Sequence, residues 1–253
     1  MCGRFALTAT PDQTAAFLGL EGLDDFPARY NIAPTQPILM AMAGEPRAPG
    51  SNRPDRRALL VRWGLIPGWV KDTKDFPLLF NARSEGAADK ASFRTAMRHR
   101  RAVVPASGFY EWRKNAGGKG QAYWVRPRHG RLVAFAALME PYAEPGGSEI
   151  DTGAILTTRA NADIAHIHER MPMVIDPQHF SRWLDCRSLE PRDVADLLRP
   201  AEEGFFEAVP VSDLVNKVAN TGPEIQERQT AQAVAEQKEP ARSGAGDRQL
   251  TLF

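Results

Sequence analysis

Five short apolar or alternating runs, at 58–63, 101–105, 121–126, 131–139 and 153–158, constrain most what this chain can fold into. They read as strands. Helical signals fall among them at irregular spacing, without a repeating strand–helix–strand rhythm. The pattern predicts a single mixed α+β domain with a largely antiparallel sheet, not a doubly wound parallel one.

The first helix is marked by Thr10-Pro11-Asp12-Gln13. This places an N-cap threonine, a proline at the first helical position and a glutamine three residues after the cap. Phe17 and Leu18 follow as its apolar face. Phe93 and Met97, four apart, predict a helix within 89–100, and 178–186 and 191–199 read as two more. Residues 44–57, GEPRAPGSNRPDRR, form a basic loop. The domain is expected over 1–222. Residues 223–253 are read as a flexible tail, because 224–248 are polar with few large apolar side chains.

With 253 residues, 43% of them hydrophobic, the chain can bury a core without disulfides or metals. The formal net charge of +1 gives no general affinity for polyanions, so any nucleic-acid site must come from local clustering of Arg and Lys. Two cysteines, Cys2 and Cys186, make no disulfide framework, which points to a reduced, cytoplasmic setting. No apolar run approaches the ~20 residues of a membrane span. Arg4 and Thr8 interrupt any signal-peptide segment.

The chain starts Met1-Cys2-Gly3-Arg4. Removal of Met1 leaves Cys2 with an α-amine and a thiol on adjacent carbons. Such a 1,2-aminothiol condenses with an aldehyde to an imine, and the thiol then closes a five-membered thiazolidine. With reference pKa values of about 8 and 8.5, both groups react near neutral pH. On the dipeptide alone, a buried, inert cysteine is an equally good reading.

Further segments change that balance. CGRF at 2–5, RYNIAP at 29–34, RWGLIP at 62–67, FNARSE at 80–85, SGFYEW at 107–112, TTRAN at 157–161, IHERMP at 167–172 and VSDLVN at 211–216 follow in order. Together they resemble the SOS-response-associated peptidase family of abasic-site sensors, from Cys2 to about Val218. The resemblance implies covalent capture of abasic sites in single-stranded DNA; no cofactor and no metal are expected. It places the linking nucleophile at Cys2, a proton-transferring carboxyl at Glu111, a histidine that helps open the sugar at His168, and a positioning amide at Asn81. Asn31 is a second amide near the N-terminus. Arg4, Arg83 and Arg170 are implied phosphate contacts, and Trp69, beyond Pro67-Gly68, a stacking side chain. The basic run Arg98-His99-Arg100-Arg101 reads first as a solvated face. His166 reads as structural, since no ligand cluster at metal spacing accompanies it.

The closing Gln249-Leu250-Thr251-Leu252-Phe253 resembles the short motif by which bacterial proteins dock on the replication sliding clamp. Here Gln249, Leu250, Leu252 and Phe253 would fill the groove. Two rival functions remain. One is an N-terminal-nucleophile glutamine amidotransferase, whose Asn-Gly-Asp segment this chain lacks. The other is a non-covalent single-strand-binding module.

Overall fold

The structure, a computed structural model, describes residues 2–46, 50–51, 54–115, 118–130, 132–144 and 146–229. Its strands, in chain order, are β1 (Phe5–Leu7), β2 (Arg29–Ile32), β3 (Pro37–Ala43), β4 (Arg56–Trp63), β5 (Asn81–Arg83), β6 (Arg101–Ala106), β7 (Gly108–Asn115), β8 (Gly118–Pro127), β9 (Val133–Ala143), β10 (Glu149–Arg159), β11 (Arg170–Pro172) and β12 (Phe206–Pro210). The helices are α1 (Pro11–Leu18), α2 (Arg94–His99), α3 (Ala162–Ala165) and α4 (Phe180–Leu184). This is the α+β class expected.

Strands pair in the order β10-β4-β3-β6-β9, and β9 pairs back onto β10, so the sheet closes into a barrel. Most pairings are antiparallel, but β4 and β5 both run parallel to β10. The period-two alternation of side chains divides the barrel strands between two cores. Met40, Val61, Val104, Phe135 and Ile155 point inward and meet Cys2, Phe5 and Phe109. Their neighbours Ala41, Val103, Ala136 and Leu156 point outward, under Leu18 of α1, Met97 of α2, and Phe180 and Trp183 of α4.

A second sheet, β12-β8-β7-β1-β2, lies beside the barrel. Phe5, Phe109, Val125 and Phe206 join the inner core. Its other face, with Ala6, Tyr110, Ala122 and Trp124, is covered by Val211, Val215 and Ile225.

The α1 start is built as its sequence dictates. Gln13 N–H donates to Thr10 Oγ1 at 3.2 Å, and Thr10 N–H donates to Gln13 Oε1 at 3.1 Å. The structure departs from expectation in three places. The 191–199 segment is a 3-10 helix, Pro191–Leu197. The basic run is not a solvated face throughout, because Arg101 is fully buried. The boundary expected at 222 falls inside packed structure: Pro223–Gln226 form a 3-10 turn, Ile225 is fully buried, and Arg228 bridges Val211. One buried isoleucine anchors a segment whose polar composition reads as a tail. The rest of that tail, including Gln249, Leu250, Leu252 and Phe253, lies outside the described residues. Among the described residues no helix is long and apolar enough to cross a membrane.

Candidate active site

Cys2 precedes β1 and is drawn into the inner core, where its side chain is fully buried. Two contacts hold it. Asn81 Nδ2 donates to the Cys2 carbonyl at 2.8 Å, and the Cys2 thiol lies 3.8 Å from the Arg4 carbonyl. Asn81 is the first residue of β5, fixed by the parallel register that sets it beside Ile155 of β10. Its Oδ1 is buried with no partner among the described residues. A buried amide oxygen left without a donor is costly unless something arrives to supply one.

Glu111 sits in the middle of β7, opposite Tyr123 of β8. As the alternation of an extended strand requires, Tyr110 enters the outer core, while Glu111 turns with Phe109 toward the inner one. Burial pushes the Glu111 carboxyl above the usual carboxylate range, and the nearby His168 acts against that rise. Burial, and then the charge of Glu111, push the Cys2 thiol up as well. Cys2 and Glu111 therefore form one electrostatic unit, with His168 beside it.

His168 lies half-buried in the turn between α3 and β11. Its Nδ1 accepts the Arg170 backbone N–H at 3.0 Å. With Nδ1 engaged by the backbone, Nε2 is the ring nitrogen left to face a ligand.

The residues expected at the DNA surface divide into two groups. Arg83 is exposed at the end of β5, and Trp69 is 60% exposed, edge-on to Phe76 at 6.0 Å. Both can meet a ligand. Arg4, Asn31 and Arg170 are occupied within the fold. Arg4 Nη1 donates to Asn31 Oδ1 at 2.8 Å and to the Val215 carbonyl at 2.6 Å, and its guanidinium lies 5.9 Å from the Trp112 ring. Asn31 is buried, and its Nδ2 donates to the carbonyls of Val215, Lys217 and Asn220. The pair thus ties β2 to the C-terminal segment. Arg170 is buried and forked onto Glu85 at 2.7 and 2.8 Å, with a further bond of 2.5 Å to the Thr157 carbonyl.

Sequence reasoning passed over Glu85. It stands inside the FNARSE segment, but nothing in a one-dimensional spacing of 85 residues pairs it with Arg170. Among the described residues, no group of three or more His, Cys, Asp and Glu is disposed to hold a metal.

Comparison with known proteins follows the same outline. Residues 1–218 match the family model described as SOS response associated peptidase (SRAP). The chain is 34% identical to the abasic site processing protein YoqW of Bacillus subtilis, covering 89% of this chain and 98% of that one. It is 31% identical to YedK of Escherichia coli, an abasic site processing protein, over 89% of this chain and 98% of the other. It is 33% identical to the abasic site processing protein HMCES of Gallus gallus, over 77% of this chain and 64% of the other. A crystal structure of a Bacteroides thetaiotaomicron protein has the same fold, with a TM-score of 0.77 at 23% identity over 90% of this chain and all of that one. A match over residues 1–218, running from the buried Cys2 through Asn81, Glu111 and His168, carries one conclusion: the chain belongs to the SOS response associated peptidase family.

Proposed function

We propose that this protein processes abasic sites in single-stranded DNA by linking Cys2 covalently to the lesion once Met1 has been removed. The observation that carries this reading is the joint burial of Cys2 and Glu111, with Asn81 holding the Cys2 carbonyl and His168 electrostatically beside them. The names of the relatives point to the same lesion.

The chemistry follows from the protonation states. The Cys2 thiol is held protonated chiefly by burial, so it is not the first nucleophile. The α-amine attacks the aldehyde carbon, and the resulting carbinolamine loses its hydroxyl as water. Glu111, with its pKa raised, supplies that proton and takes one back from the nitrogen as the imine forms. The thiol sulfur then adds to the imine carbon. Its proton reaches the ring nitrogen, and a thiazolidine and one water are the products. His168 acts earlier, exchanging protons at Nε2 with the closed sugar so that the aldehyde opens. Arg83 and Trp69 would hold the strand, one at phosphate and one by stacking. Gln249, Leu250, Leu252 and Phe253 would bring the protein to the sliding clamp. A pull-down by the clamp that survives loss of residues 249–253 removes that last element.

The test is a denaturing gel of purified protein with a single-stranded oligonucleotide bearing one abasic site, beside the intact strand and Cys2→Ala. A shifted band for wild type on the abasic strand alone is expected. Absence of that band, with mass spectrometry showing Met1 gone, overturns the reading.

A further inference from the structure

Glu85 and Arg170 approach from opposite sides of β10. Glu85 follows β5, which pairs parallel with β10, whereas Arg170 opens β11, which pairs antiparallel with it. The bidentate ion pair therefore reaches from the β5 end to the start of β11. Asn81 stands at the head of β5. His168 stands two residues before Arg170 and takes that residue's own N–H on Nδ1. The pair is anchored twice, since Arg170 Nη2 also reaches the Thr157 carbonyl at the end of β10.

The Arg170 side chain is only 10% exposed, and that of Glu85 is 49% exposed. Arg170 holds the Glu85 carboxyl below its usual range, chiefly through the direct hydrogen bonds. A planar fork bound at two oxygens fixes orientation as well as charge.

We propose that Glu85 is a positioning residue for His168, acting through Arg170. The ion pair holds the Arg170 backbone so that its N–H locks the imidazole with Nε2 toward Cys2 and Glu111. Arg170 is then a brace within the site and not a phosphate ligand. This rests on the proposed reaction, but it fails separately from it.

The experiment measures two quantities on the full chain. One is the first-order rate of crosslinking at saturating protein. The other is the non-covalent affinity for the abasic strand in a Cys2→Ala background, at several salt concentrations. For Glu85→Ala, a partly exposed site that the fold should tolerate, the saturated rate should fall by between about 10- and 100-fold, the cost of a displaced reacting group. Affinity and its salt slope should not move. Glu85→Ala/Arg170→Ala should lose no more rate than Arg170→Ala alone, because the two residues act as a unit. If Arg170→Ala does not fold, Arg170→Gln replaces it in both roles, since a neutral amide supplies neither the fork nor the charge. The proposal is overturned if Glu85→Ala leaves the saturated rate unchanged. It is equally overturned if Glu85→Ala tightens binding, or if the Arg170 variant weakens binding and lowers the salt slope by about one, the signature of a lost phosphate contact. A wild type that forms no crosslink at all fails the reaction itself and leaves a different trace.

Discussion

Glu111 is a carboxyl placed where its charge is unwelcome, and that has a measurable cost. Its pKa is raised in the folded state, so the folded protein binds that proton more tightly than the unfolded chain does. The sign follows. The stability Glu111 contributes is present below the unfolded value of about 4.3 and is lost as pH climbs through the folded one. Glu111→Gln removes the titration while keeping the shape. Its thermal midpoint should exceed the wild type's at pH 8, and the gap should close as pH falls toward about 4. The same variant should crosslink slowly at every pH, by about 100-fold, since an amide carries no proton to the leaving hydroxyl. A midpoint at pH 8 equal to or below that of the wild type would count against the buried charge. Asn81 makes the opposite case. Asn81→Ala frees the Cys2 carbonyl and should slow crosslinking by about 10-fold with strand affinity unchanged, read by the same gel and a titration of the Cys2→Ala protein. The sequence offered Cys2, Glu111 and His168 as candidates because the proposed chemistry constrains their type: an aldehyde needs the aminothiol, and the proton transfers need a carboxyl and an imidazole. Arg4, Asn31 and Arg170, expected at the DNA, are engaged within the fold for a physical reason. A guanidinium or amide serves a phosphate and a buried carbonyl equally well, and only packing decides which it meets.

The strands that the sequence announced are β4, β6, β8, β9 and β10, where an apolar or alternating run is sustained, although β3 and β7, of seven and eight residues, were passed over. The three-residue strands β1, β5 and β11 are too short to show a period, although they carry the site. Their strand state comes from neighbours: β5 and β11 exist because β10 offers them hydrogen bonds on either side. The basic run at 98–101 gives the clearest reversal. Arg98 pairs with Glu190 and Arg100 with Glu140, while Arg101 goes inside. There its guanidinium donates to the carbonyls of Trp183, Met97, Asp185 and Leu189 and lies 5.6 Å from the Trp183 ring. One side chain thus caps the ends of α2 and α4 and fastens the 185–189 turn. Arg101→Ala would leave four carbonyls without their donor and should destabilise the fold by about 3 kcal/mol, read as a shift of the urea midpoint at constant slope. Arg101→Lys should recover little, because a single ammonium cannot span four acceptors. Full recovery by lysine would reduce the role of Arg101 to its charge.

Across the whole molecule, the segment from Val211 to Gln229 closes the second sheet, and the family match stops within it, at residue 218. Between 218 and 229 the sequence offers a single large aliphatic side chain, which is why the segment reads as a tail. That side chain, Ile225, is fully buried over Tyr110 and Trp124. The Asn220 carbonyl completes the set held by Asn31, and Gln229 N–H returns to the Pro210 carbonyl at 2.8 Å. A chain ending at 218 loses all three. Burying one isoleucine contributes about 2–3 kcal/mol, and a buried amide deprived of a partner adds about 1 kcal/mol or more. At about 2–4 °C per kcal/mol for a domain of this size, the thermal midpoint should drop by about 10 °C. A chain ending at 229 keeps all three and is the reference for the comparison. The loss should also reach the chemistry, because Tyr110 and Glu111 are successive residues of β7: loosening the outer face of that strand loosens the carboxyl on its inner face. The 1–218 chain should therefore crosslink more slowly than 1–229 at a temperature where both remain folded by circular dichroism. Equal midpoints and equal rates for the two truncations would mean that the inner core alone holds β7 in place and that the Ile225 cap is dispensable.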